Sequence, residues 1–146
     1  MDDLDRMTQL GREGYQCSQI LVILGMELQG LDSPELVRAT RGLCGGLGTG
    51  EVCGALSGGA CLLGLYAGEG HADPEQDLSL PAMLDQLVSW FKDEYGRPYG
   101  GIRCEQILDG ELPLTVTRCA EMVRGVYQKV KEILVENGFD LAGPDF

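Results

Sequence analysis

The sequence predicts an all-α fold, a single compact helical domain of about five to six helices, and three observations carry that expectation. Apolar residues recur at helical spacing through most of the chain. The period-two alternation of a half-buried strand is missing. Glycine, proline or an N-capping side chain stands where each apolar run starts or stops.

A short acidic segment runs up to Leu10 and leads to Gly11 and Gly14. From Tyr15 to Leu28, residues Ile20 to Leu24, Met26 and Leu28 are apolar nearly all round, the mark of a buried central helix, and Gly30 suits its C-terminal cap. Ser33-Pro34-Glu35 places an N-cap before a proline at the first helical position and opens a second helix towards Leu43. Gly45-Gly46-Leu47-Gly48-Thr49-Gly50 is too rich in glycine for helix or strand, and it precedes a third helix from about Glu51 to Ala67. An acidic loop from Gly68 to Asp77 follows. Residues 80–95 form a fourth helix with Leu84, Leu87, Val88 and Phe91 on one face, and Gly96 to Gly101 breaks it. Cys104 to Leu108 reads as a short helix. The last long helix runs from about Thr117 to Glu136, with Met122, Val126, Val130 and Ile133 at helical spacing, and Asn137-Gly138 ends it. The tail from about 138 is expected to be loosely ordered. No repeat or internal boundary divides residues 1–146.

At 146 residues and 44% hydrophobic, the chain has enough apolar material for one core without covalent staples. Lys and Arg total 11 against 23 Asp and Glu, a net charge of −12. A duplex or an anionic membrane repels that balance, so no nucleic-acid partner is expected. The start, Met-Asp-Asp-Leu-Asp-Arg, lacks the basic and apolar regions of a signal peptide. The most apolar stretch, Ile20 to Leu28, is interrupted by Gly25 and Glu27 and is far short of a bilayer span, so no membrane insertion is expected. The expected compartment is the cytoplasm. There, six cysteines point to catalysis, redox sensing or metal binding before a disulfide framework.

Four of those cysteines, Cys17, Cys53, Cys104 and Cys119, fall in the first turn of an expected helix. A helix N-terminus has unsatisfied N–H groups and a partial positive charge, which favour the thiolate that attacks disulfides, accepts oxidation and binds metal. On that argument Cys53 is the candidate nucleophile, titrating below an ordinary thiol and reacting faster than Cys61. Cys17 is its partner. Cys61 lies about two turns into its helix beside Leu62 and Leu63, and Cys44 at a helix end.

The glycine run fails both nucleotide-binding tests. No lysine lies between residues 42 and 91, as a Walker A loop requires, and the Gly-x-Gly-x-x-Gly spacing is broken at Glu51 and Cys53. The glycines allow a tight turn close to another element, or free N–H groups to face an anion or sulfur. Gly54 and Gly58, four apart, leave one face of the third helix nearly bare, either for a tightly packed partner or for space beside Cys53.

Cys53-Gly54-Ala55-x-x-Gly58, with single cysteines before it and two after it, resembles the redox-active protein family named C_GCAxxG_C_C. Gly14-Tyr15-x-Cys17-x-Gln19 is similar to the family's first cysteine segment, and the Gly45-to-Gly50 loop to its glycine run. Trp90-Phe91-Lys92 to Gly96 with Ile102-x-Cys104 is similar to its third segment, and Cys119 opens the last helix as its fourth cysteine. The residues between Gly96 and Ile102 depart from the pattern, and Cys44 and Cys61 lie outside it. The resemblance implies a redox role for Cys17, Cys53, Cys104 and Cys119.

Four thiols suit an iron–sulfur cluster or a tetrahedral zinc ion, although the close Cys-x-x-Cys pairing of common ferredoxins and zinc knuckles is missing. A domain resembling this family occurs in a split-Soret type of cytochrome proposed to hold a [2Fe–2S] cluster, which makes that the favoured cofactor. Without a cluster, no cofactor is expected. The expected function is electron transfer or redox sensing through the four-cysteine site. Two alternatives stand beside it: a thiol–disulfide oxidoreductase with Cys53 as nucleophile, and a helical interaction module with incidental cysteines. Whether the chain is an enzyme, which protein is its redox partner and whether it forms a homo-oligomer stay open. His71, the sole histidine, reads as a solvated residue of the acidic loop rather than a ligand, and Glu51 as a helix-start acid that could orient a thiol proton.

Overall fold

The chain winds around one buried helix, α2 (Cys17–Gln29), whose residues from Ser18 to Met26 are all buried. The computed structural model describes residues 2–68, 70, 78–109, 111 and 118–142. Around α2 stand α1 (Asp3–Arg12), α3 (Pro34–Thr40), α4 (Gly54–Ala67) and α8 (Ala120–Glu136), with α5 (Ser79–Phe91) against α4 and α8. Among the described residues two short helices, α6 (Arg97–Tyr99) and α7 (Cys104–Leu108), stand beside these. The all-α architecture is the one the sequence predicts.

The glycine face of α4 is a packing device. A Cβ on Gly58 would stand 2.8 Å from the Ser18 Cα, so α2 approaches α4 on that side almost backbone to backbone. On the other side Gly59 admits the Val126 side chain of α8. From α2, Gly25 returns the favour by receiving Leu62 and Leu65. Close approach of this kind brings dispersion contacts that offset the helix-propensity cost of glycine.

Three boundaries differ from expectation. The acidic amino-terminal segment is a helix: the Asp2 carboxylate accepts from the Asp5 N–H at 2.8 Å, Asp3 and Asp5 sit at the positive end, and Met7 and Leu10 are buried. The glycine loop therefore precedes the fourth helix. That fourth helix begins at Gly54 rather than Glu51, because Glu51 and Val52 are extended and Val52 pairs with Arg103 in an isolated antiparallel bridge. Gly96 does not break α5. The backbone continues through a wide turn over Lys92–Gly96 into α6, and the break comes at Gly100 and Gly101, both at positive φ.

The expected start of α8 at Thr117 and most of the acidic loop, His71 included, lie outside the described residues. Of the tail from 138, Phe139 and Leu141 pack against the core and the Tyr66 hydroxyl donates to the Leu141 carbonyl, whereas residues 143–146 lie outside the described ones. Among the described residues no helix is long and apolar enough to cross a membrane.

Candidate functional site

Cys17 and Cys104 are the first residues of α2 and α7, and Cys53 and Cys119 are the N-cap residues of α4 and α8. The two shorter starts are built alike. Gln19 accepts from the Gln16 N–H at 3.1 Å, and Gln106 accepts from the Arg103 N–H at 3.1 Å. Each Cys-x-Gln thus carries its own N-terminal cap.

Backbone pairing ties the two middle cysteines together. The Cys53 N–H donates to the Ile102 carbonyl at 2.9 Å, and the Cys104 N–H donates to the Glu51 carbonyl at 2.6 Å. The Arg103 guanidinium braces this bridge, pairing with Glu51 at 3.1 Å and Glu105 at 2.9 Å. Glu51 is thereby engaged with an arginine. From the other flank, Arg118 donates to the Ile107 carbonyl and stacks over Tyr99 with its centre 4.6 Å from the ring centroid, holding the approach to Cys119 against α6 and α7. Neither arginine was singled out from the sequence.

Cys17 is fixed from α3. The buried Ser18 hydroxyl donates to the Thr40 carbonyl at 2.8 Å, and the Gln19 amide donates to the Val37 carbonyl at 3.1 Å. Its sulfur fills the place where other residues than glycine would carry a side chain at 54: a Cβ there would stand 2.6 Å from Cys17 Sγ.

The four thiols share one electrostatic neighbourhood. In ionised form Cys17 is disfavoured by Cys53 and Cys119, Cys53 by Cys104, and Cys119 by both Cys53 and Cys104. Cys44, which the sequence reading set apart, belongs to the same neighbourhood, acting on Cys17 and Cys104. Cys61 does not, and its thiol is raised by burial alone.

The expectation of a depressed Cys53 thiol is overturned. Burial raises it, and the N–H groups of Ala55 and Leu56 that face its sulfur only partly oppose the rise. Burial likewise pushes Cys17 up to about 12 and Cys119 to about 11, with neighbouring thiols adding to both, and raises Cys104. At 4% exposure Cys53 is also the least accessible member, because the bare glycine face holds α2 and not open space.

All six cysteines are free thiols. Among the described residues no three His, Cys, Asp or Glu side chains stand at the spacing of a single metal ion. Four thiols are nonetheless the kind of donor set that an iron–sulfur cluster would take. Backbone N–H groups aimed at Cys53 and Cys17 favour sulfur that carries negative charge. A cleft lined by Asp3, Arg6, Glu27 and Tyr127 holds none of the cysteines.

A family model described as Putative redox-active protein (C_GCAxxG_C_C) matches residues 15–133, a span that contains every element of the site. Neither the curated proteins nor the solved structures offer a match.

Proposed function

Because this chain belongs to the C_GCAxxG_C_C family of putative redox-active proteins, we propose that Cys17, Cys53, Cys104 and Cys119 form one redox site for electron transfer or redox sensing. The group they hold in this reading is an iron–sulfur cluster, [2Fe–2S] in the first instance. One observation supports the reading above the others: four helix starts, drawn from across the chain, carry cysteines each of which lies within electrostatic range of another of the four.

Buried thiols that would repel one another when ionised stay protonated in the reduced, metal-free protein and cannot all give up their protons unaided. A cation or a covalent link among them relieves that repulsion. When bound, a cluster would accept and return single electrons at a potential set by burial and by hydrogen bonds to sulfur. The chain supplies both. The backbone N–H groups of Ala55 and Leu56 face the Cys53 sulfur, the backbone N–H of Ser18 faces that of Cys17, and the packed α2–α4 contact keeps water from Cys53. The Val52–Arg103 bridge holds two of the ligands in fixed register.

A second reading, thiol–disulfide exchange between Cys53 and Cys17, is favoured by the seat of the Cys17 sulfur on Gly54, next to Cys53. The burial of Cys53 and its raised thiol weigh against it as an opening nucleophile. Anaerobic purification followed by visible absorbance, iron, sulfide and free-thiol assays tests both. Colour with iron and sulfide, lost on replacing any of the four cysteines by serine, is the expected result. A colourless, metal-free protein with one reducible Cys17–Cys53 disulfide would favour exchange instead. Six inert thiols would leave a helical interaction module and sink the redox site.

A further inference from the structure

Cys44 lies outside the family's four-cysteine pattern, yet the fold brings it to the site. It follows a single helical turn at Arg41–Leu43 and precedes a loop whose residues Gly45, Gly46, Leu47 and Gly48 all take positive φ. The Ser18–Thr40 and Gln19–Val37 hydrogen bonds clamp the start of α2 to the end of α3, directly upstream of Cys44. The same missing side chain at Gly54 that seats Cys17 also admits Cys44: a Cβ there would stand 2.6 Å from Cys17 Sγ and 3.3 Å from the Cys44 Cα. One sulfur and one cysteine backbone therefore face each other across a single glycine.

We propose that Cys44 is a fifth thiol of this site and closes a disulfide with Cys17 across Gly54 when the protein meets a small-molecule disulfide. Cys44 is half-buried, whereas Cys53 is sealed beneath α2 with its sulfur facing the Ala55 and Leu56 N–H groups. Cys104 is held by its N–H on the Glu51 carbonyl, at the far end of the glycine loop. The glycines beside Cys44 lack the Cβ that would resist a backbone adjustment, so Cys44 is the member free to travel to its partner.

The chemistry balances with oxidised glutathione as the oxidant. The Cys44 thiolate attacks one glutathione sulfur, forming a mixed disulfide and releasing the first glutathione thiolate. Cys17 gives its proton to solvent and attacks Cys44 Sγ, forming the Cys17–Cys44 bond and expelling the second glutathione. Both electrons come from the two cysteines and end on the two released thiols. The consequence, which rests on the four-cysteine reading of the site, is regulatory. Oxidation removes Cys17 from the set and blocks loading of a cluster until a reductant restores it.

The test uses the full reduced, metal-free chain incubated with oxidised glutathione, quenched in acid, alkylated and cleaved after glutamate. Cleavage at Glu13, Glu27, Glu51, Glu94 and Glu105 puts Cys17, Cys44 and Cys104 on peptides of their own, each apart from Cys53. The expected product joins the peptide carrying Cys17 to the one carrying Cys44. Cys17 joined to the Cys53 peptide, Cys44 joined to Cys104, or Cys44 left as a stable glutathione adduct would each overturn the proposal. In a parallel arm the oxidised chain is offered iron and sulfide with and without dithiothreitol. Uptake only after dithiothreitol supports the regulatory consequence, and equal uptake in both overturns it. No uptake in either, with the Cys17–Cys44 link mapped, strikes the cluster reading and leaves the disulfide standing.

Discussion

Gly54 admits Cys17 to the site by carrying no side chain, and that single position separates helix stability from redox competence. Alanine favours helix over glycine by up to about 1 kcal/mol. Here its methyl would meet Cys17 Sγ at 2.6 Å and the Cys44 Cα at 3.3 Å. Gly54→Ala is therefore expected to move the urea midpoint little while reducing iron uptake and formation of the Cys17–Cys44 link, and denaturation with iron assay reads both. Full iron uptake in the variant would show that Cys17 need not occupy that seat. Cys53 supplies a second residue-scale prediction. Its helix-start position argues for a reactive thiolate, and its burial argues against one. Burial wins because the N–H groups aimed at its sulfur do not replace the water it has lost. Limited alkylation of reduced, metal-free protein should label half-buried Cys61 before Cys53, as read by peptide mass spectrometry. The N-terminal position of Cys53 was legible in the sequence because capping is local. The sign of its titration was not, since desolvation depends on α2, which meets it from elsewhere in the chain.

Along α4 the glycines divide by what stands opposite each one. A Cβ on Gly58 would reach to 2.8 Å from the Ser18 Cα, a backbone atom that cannot swing away, whereas Gly64 faces nothing within 4 Å. Gly58→Ala is expected to destabilise by roughly 1–3 kcal/mol through overpacking and to prise Cys17 from Cys53. Gly64→Ala should stabilise by up to about 1 kcal/mol. Chemical denaturation of the two variants checks both, and equal shifts would refute the packing account. The same local-versus-distant division governs what the sequence discloses about elements. The burial of α2 was legible because apolar residues surround it from Ile20 to Leu24, and α3 because Ser33 and Pro34 announce it. Helix α1 escaped because its acids read as a solvated segment, although Asp2 caps it and Asp3 and Asp5 suit its positive end. The Val52–Arg103 bridge is one residue pair long and leaves no periodic trace. Cys44 was set apart because its route to the site runs through left-handed glycines, whose path no pattern of apolar residues encodes.

At the scale of the whole molecule, buried acids that stay protonated in the fold set an alkaline limit on the reduced protein. Cys17 is pushed up to about 12 and Cys119 to about 11, mainly by burial, while Tyr66 and Tyr95 are each pushed up to about 12 for the same reason. The sign follows from proton binding. In the window between the ordinary values, roughly 9 for a thiol and 10 for a phenol, and these raised ones, the folded state holds protons that the unfolded state has released. The stabilisation is fully present below the unfolded values and is lost as pH climbs through the folded ones. Each pH unit separating the two corresponds to about 1.4 kcal/mol, against a total stability of about 5–15 kcal/mol for a typical domain. The net charge of −12 pushes the same way through self-repulsion, but salt screens that contribution and leaves the burial effect largely intact. Urea midpoints of the reduced, metal-free chain should therefore fall steeply between about pH 9 and 12 even in high salt. Cys17→Ser removes one titrating group from the window and should flatten the fall. A fall abolished by salt alone, or unchanged in that variant, would mean that Cys17 is ionised freely in the fold and is not buried among the other thiols.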